Sequence, residues 1–161
     1  MRMTTPRIQP LADDQWDDDA RALFAPIAQN GRVLNIFRTL ANHSGLARRW
    51  MVFADHIRGI STLAEQAREL VILRIGYLCQ SGYEWGQHVV IARRVGMTDE
   101  EILFSKSGPE TPGLSPLYRL LLQATDELHA DAPITDVTWA GLTEHLNQQQ
   151  MMDLVFTVGQ Y

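Results

Sequence analysis

The residues best suited to chemistry fall in one stretch, Glu69 to Gly96, which reads ELVILRIGYLCQSGYEWGQHVVIARRVG. Glu84 and His88 are four residues apart, so on a helix both side chains leave the same face. A carboxylate beside an imidazole is a proton-transfer pair. The acid holds one ring tautomer and raises its basicity, leaving the other nitrogen to take or give a proton near neutral pH. Tyr83 adds a phenol near the helix start, where exposed backbone N–H groups also bind anions. Glu69, on the preceding helix, reaches the same place if the two helices pair antiparallel. A plainer reading of these residues stands beside that one. Ser81 and Glu84 have the spacing of a capping box, His88 is then a core histidine bonded to Glu84, and Glu69 pairs with Arg68 or Arg93 at the surface. Glu84, His88 and Glu69 are adequate metal ligands in kind. They include one histidine, with His43, His56, His129 and His145 scattered elsewhere, so no metal site is expected.

The elements that must position these residues read as helices, because apolar residues recur at three- and four-residue steps and strand-like alternation is missing. A first helix is predicted over about Asp17 to Gln29, with an acidic start that suits the helix dipole and with Pro26 bending or shortening it. A short apolar segment follows from Val33 to Asn42, then a helix from about Leu46 to Arg58, with Gly59 at its end. Thr62-Leu63-Ala64-Glu65 reads as a capping box opening a helix to about Gln80. Its face is so broadly apolar that it belongs at the centre of the fold or against another subunit. Ser81 opens the next helix, which ends near Gly96, and Thr98-Asp99-Glu100-Glu101 opens a short one. Ser105 to Pro116, rich in Gly and Pro, is a loop, either a connection or a lid. Helices follow over Pro116 to Ala130, Asp136 to Leu146, and from Gln148, where Asn147 and Gln150 have capping-box spacing. Nothing past Tyr161 closes the last helix, so a frayed end or a continuing polypeptide is expected. Cys79 reads as a small core residue at the end of an apolar helix.

The whole is 161 residues, 45% hydrophobic and 20% charged, which excludes a disordered tail, a collagen-like chain or a disulfide-built miniprotein. One domain is expected over 1–161, with an extended N-terminal arm over about 1–15. A formal charge of −5 argues against a nucleic-acid partner, whose phosphates require Lys and Arg. One cysteine excludes an intrachain disulfide. The absence of an apolar run of about 18 residues argues against a membrane span. With no apolar stretch of signal-peptide type in Met1 to Pro10, a cytoplasmic location is expected. The apolar face from Leu63 to Cys79, with Trp50, Trp85 and the last helix, exceeds what one bundle this small needs to bury, so a homo-oligomer is expected.

From Thr62 to Ile102, through ARELVILRIGYLCQSGYEWGQHVVIARRVGMTDEEI, the sequence resembles the carboxymuconolactone decarboxylase family, related to alkylhydroperoxidase D. Weaker similarity extends to NIFRTLANHSGLARRWMVF and to DELHAD and MMDLVFTVGQY. The resemblance implies an all-α, alkylhydroperoxidase D-like bundle, assembled as trimers or hexamers with sites near subunit interfaces. The peroxidase branch carries a Cys-x-x-Cys pair where this chain has Ser81 and Glu84, and a disulfide cycle needs two sulfurs. The decarboxylase branch carries a Glu-x-x-x-His arrangement that Glu84 to His88 matches, and Glu69 matches an acidic family position. Tyr83-Glu84-Trp85 marks a subgroup whose substrates are mostly unassigned. The resemblance implies a cofactor-free lyase or isomerase acting on a small organic acid or lactone. In that reading His88 is expected to donate the proton, Glu84 to orient it and Glu69 or Tyr83 to assist; Trp85 is expected to contact the substrate, and Arg74 is either the cation for its carboxylate or a surface residue. The alternatives are a redox protein using Cys79 with a partner's thiol, and a noncatalytic oligomer.

Overall fold

Apolar periodicity and capping chemistry together set where these helices begin and end. The computed structural model describes residues 5–28 and 32–161, and all regular elements among them are helical. Contacts divide the expected chain-long domain into two compact units, residues 1–56 and 57–161.

In the first unit, α1 spans Asp18–Phe24. It is capped by Asp17, whose carboxylate accepts the Ala20 N–H at 2.6 Å. Pro26 ends it as expected, in a single 3-10 turn over Ala25–Ile27. The expected end at Gln29 lies outside the described residues, as do positions 1–4 of the expected arm. From Leu11 onward that arm is tied down. The Leu11 N–H donates to the Arg38 carbonyl at 3.0 Å, and the Arg38 side chain reaches the Leu11 carbonyl and Asp13. Helices α2 (Asn35–Leu40) and α3 (Ser44–Asp55) complete the unit around Trp16, Phe24, Phe37 and Met51.

The second unit is built on α4, Glu65–Leu78, which packs against α5 (Gly82–Arg94), α6 (Asp99–Ser107), α7 (Pro116–Asp131) and α9 (Gln148–Gln160). Helix α8 (Asp136–Thr143) lies on α7 and α9. Every residue from Ala67 to Gly76 is buried, so α4 is the central helix its composition calls for. That also corrects one argument for an oligomer, because the broad apolar face of α4 is covered within its own chain. Leu70, Leu73, Leu121, Leu122, Leu142 and Leu154 are wholly enclosed, each contributing about 1.5–3 kcal/mol relative to an exposed position.

The capping boxes at Thr98–Glu101 and Asn147–Gln150 are both formed. The one expected at Thr62–Glu65 is not. Asp153 on α9 takes the Thr62 N–H at 2.6 Å and the Thr62 hydroxyl at 2.8 Å, so α4 begins later, behind an uncapped Ala64. The Asp153 carboxylate accepts from the Thr62 N–H and hydroxyl together, which leaves neither for the local glutamate. Ser81 and Glu84 form no reciprocal cap either, since the Ser81 side chain makes no capping bond.

The expected loop over Ser105–Pro116 starts later, because α6 continues to Ser107 and Gly108 turns the chain at φ +88°. A Cβ at Gly108 would lie 2.9 Å from Arg74 Nη2, so the backbone approaches that guanidinium as only glycine allows. The loop is also held from outside, by Arg119 donating to the Pro109 carbonyl at 2.7 Å.

Candidate active site

Helices α4 and α5 are joined by a tight turn in which Gln80 adopts φ 55°. They run antiparallel. Gly76 near the end of α4 faces the Trp85 backbone near the start of α5, and Gln66 near the start of α4 donates to the Val95 carbonyl at the far end. That register brings Glu69 beside His88. Glu69 Oε2 lies 2.7 Å from His88 Nδ1, and both residues are buried. Glu84 Oε2 is 4.0 Å from His88 Nε2, on the other side of the ring, beyond hydrogen-bond length. The spacing argument therefore finds the right helix face but the wrong bonding partner, because the cross-helix contact is shorter than the contact within α5. The reading of His88 as a histidine bonded to Glu84 is corrected in the same way.

The two carboxylates flank the imidazole at opposite nitrogens and do not converge on one point. Among the described residues no group of three or more His, Cys, Asp or Glu side chains is arranged to hold a metal ion.

Two further residues complete the site. The Tyr161 ring meets His88 edge-on, with centroids 4.8 Å apart and planes at 83°. Burial, then the Glu69 and Glu84 carboxylates, push the Tyr161 phenol up to about 12, against the pull of Arg58 and Arg68. The phenol therefore keeps its proton throughout the neutral range. Arg68 is buried next to Glu69, its Nε 3.7 Å from Glu69 Oε1. The expected pairing of these two at the surface is thus an interior one, and Arg93 pairs instead with Asp99 at 2.9 Å.

The remaining sequence candidates sit elsewhere. Tyr83 is 44% exposed in the first turn of α5, and five residues' separation puts its side chain on a different face from His88. The phenol against the imidazole is that of Tyr161, not Tyr83. Arg74 is committed to structure: Nε and Nη2 bind both oxygens of Asp126 at 2.6 and 2.7 Å, and Nη1 binds the carbonyls of Ser105 and Lys106. Trp85 is held by α6, its indole N–H donating to Ser105 Oγ at 3.2 Å and its ring face covered by the Lys106 ammonium at 4.0 Å. Cys79 is exposed rather than a core residue, because it caps α4 after the buried run stops at Gly76.

The sequence model of the carboxymuconolactone decarboxylase family matches residues 45–127, more than half of the chain. The chain belongs to that family. None of the curated proteins matches it. Among solved structures, an uncharacterized peroxidase-related protein from Ralstonia eutropha JMP134, described as an alkylhydroperoxidase AhpD core, superposes with a TM-score of 0.80 at 17% identity. The match covers 97% of this chain and 86% of the other. A protein of unknown function from Agrobacterium tumefaciens, named as a candidate AhpD antioxidant-defence protein, gives 0.69 at 18% identity over 75% and 84% of the two chains. The fold is thus the AhpD-like helical fold expected for the family. Among the described residues no helix is long and apolar enough to cross a membrane.

Proposed function

We propose that this family member is a cofactor-free lyase or isomerase that moves a proton on a small organic acid or lactone, with His88 as the group that carries it. The observation behind this reading is the buried 2.7 Å contact between Glu69 and His88 Nδ1. With Nδ1–H donated to Glu69, the tautomer is set and Nε2 is the nitrogen that exchanges a proton. Glu69 therefore takes the orienting role first assigned to Glu84. Glu84, 4.0 Å from Nε2, is near enough for one substrate or water oxygen to touch both groups from the side, and Tyr161 braces the ring. For decarboxylation the substrate itself must carry the electron sink, such as a conjugated lactone. The carboxylate leaves as carbon dioxide, its bonding pair moves into the conjugated system, and the protonated imidazole returns a proton to carbon.

The redox alternative gains one point from the exposure of Cys79. However, the chain has a single cysteine, so the second sulfur of a disulfide cycle would have to come from a partner. Cys79 is also ten residues along α4 from Glu69, about 15 Å at the helical rise.

The test is a screen of carboxylated lactones and unsaturated acids, following loss of ultraviolet absorbance. His88→Ala is expected to abolish turnover while keeping the helical circular dichroism signal. Turnover by that variant at the wild-type rate refutes the assignment.

A further inference from the structure

Arg68 and Arg74 stand six residues apart on α4, and both are buried, at 6% and 7% exposure. Their surroundings differ. Arg74 has four of its five N–H donors filled by Asp126 and two carbonyls. Arg68 Nε is fully buried and has no hydrogen-bond partner among the described residues. The neighbouring acid oxygen, Glu69 Oε1, is 3.7 Å away, too far to accept from it. The other Glu69 oxygen is already committed to His88. A buried donor with no acceptor is unfavourable, and more so on a charged group. An N–H with no acceptor among the described residues, next to the carboxylate that holds His88, is a place for a group that arrives and leaves.

The geometry points to Arg68, not Arg74, as the residue that takes the substrate's carboxylate, so that the site's ligand is a small organic carboxylate bound next to His88. A planar guanidinium offers Nε–H and a terminal N–H in a fork that matches a carboxylate's two oxygens. Glu69 and Glu84 bring negative charge to the same region, and Tyr161 lies within electrostatic range of both, as well as of Arg58 and Arg68. An anion there needs a fixed positive charge to meet it, which arginine supplies at any working pH. A neutral ligand could accept from Arg68 Nε through a carbonyl oxygen, but it would form the weaker bond and leave the guanidinium charge unmet. The word substrate rests on the proton-transfer reading above; the binding itself does not.

The experiment uses the whole chain with nitrogen-15 arginine and histidine, titrated with maleate and with its uncharged diamide. Maleate is expected to shift the Arg68 Nε–H proton downfield and to move the His88 ring signals, both saturably, and the diamide to do neither. Arg68→Gln is expected to raise the maleate dissociation constant at least roughly tenfold, and Arg68→Lys by less, because lysine keeps the charge and loses the fork. Circular dichroism checks folding; if Arg68→Gln does not fold, the wild-type Arg68 signal and Arg68→Lys decide the matter. An unchanged dissociation constant in folded Arg68→Gln overturns the inference. So does a wild-type Arg68 signal that ignores maleate up to roughly 50 mM, where a millimolar affinity would register. A protein that binds maleate through Arg68 yet turns over no carboxylated lactone keeps this inference and loses the lyase reading. Turnover that depends on His88 but keeps its KM in Arg68→Gln does the reverse.

Discussion

Replacing the two buried arginines of α4 by methionine should have opposite consequences for stability. Arg74→Met removes two charge-assisted bonds to Asp126, at 2.6 and 2.7 Å, and bares the carbonyls of Ser105 and Lys106. Bonds to charged groups contribute about 1.5–3 kcal/mol each. The Asp126 side chain is 27% exposed and recovers some hydration, so the net cost is expected to be about 2–4 kcal/mol. Arg68→Met removes an Nε–H that has no acceptor among the described residues. The Coulomb attraction to Glu69 across 3.7 Å is about 4 kcal/mol at an effective dielectric near 20, and the guanidinium's desolvation, several kcal/mol, offsets it. Glu69 is not stranded by the change, because it keeps its 2.7 Å contact with His88. The expected change is within about 1 kcal/mol of zero, the pattern of a residue kept for binding at no gain in stability. Urea titration followed by far-ultraviolet circular dichroism measures both variants, the midpoint moving while the slope stays constant. If Arg68→Met shifts the midpoint as far as Arg74→Met, Arg68 is a structural ion and the reasoning fails.

Three other outcomes are expected. The Tyr161 phenol, raised from 10.0 to about 12, holds its proton longer in the folded chain than in the unfolded one. Its contribution is thus complete below pH 10 and is lost as pH rises through 12, by at most about 2–3 kcal/mol. In Tyr161→Phe that part of the alkaline loss and one late-ionising phenol in a spectrophotometric titration should both be missing. Cys79, being exposed, should react with iodoacetamide in the native protein, and Cys79→Ser should keep both helix content and turnover; lost turnover would revive the redox alternative. Light scattering at micromolar concentration should report a trimer or hexamer that Phe156→Glu reduces to smaller species. Met152, Val155 and Phe156 on α9 remain exposed and are the surface such an assembly would cover, so a wild-type monomer contradicts the expectation.

What could be read from sequence was what depends on neighbours along the chain. Thr98–Glu101 and Asn147–Gln150 announce helix starts because both halves of each box lie within one turn. The central place of α4 follows from its broad apolar face, with Leu70 to Leu73 together and Ala67 and Ile75 on either side. Most of the failures involve partners remote in sequence. Thr62 is captured by Asp153, 91 residues away, in preference to its neighbour Glu65. His88 is bound by Glu69 across the helix pair, which spacing within α5 cannot reveal. Tyr161 looked like a frayed end because its contact with His88 is made only once α9 has packed. Arg68 and Arg74 look alike in sequence, and only their acceptors tell them apart. Cys79 follows an apolar run and so reads as interior, but burial along α4 ends at Gly76.

Helix α9 is fastened near its start by Asp153 and Gln150, which grip Thr62 just ahead of α4. At its other end Tyr161 rests on His88 of α5. From Gln150 to Tyr161 is a span of about 16 Å at the helical rise. One polar clasp and one aromatic stop thus make α9 a gauge bar between the two helices that carry the acid and the imidazole. A slip of a single turn, about 5.4 Å, would undo both fastenings together, so the spacing of the proton-transfer pair is keyed to the seating of a helix that contributes neither member.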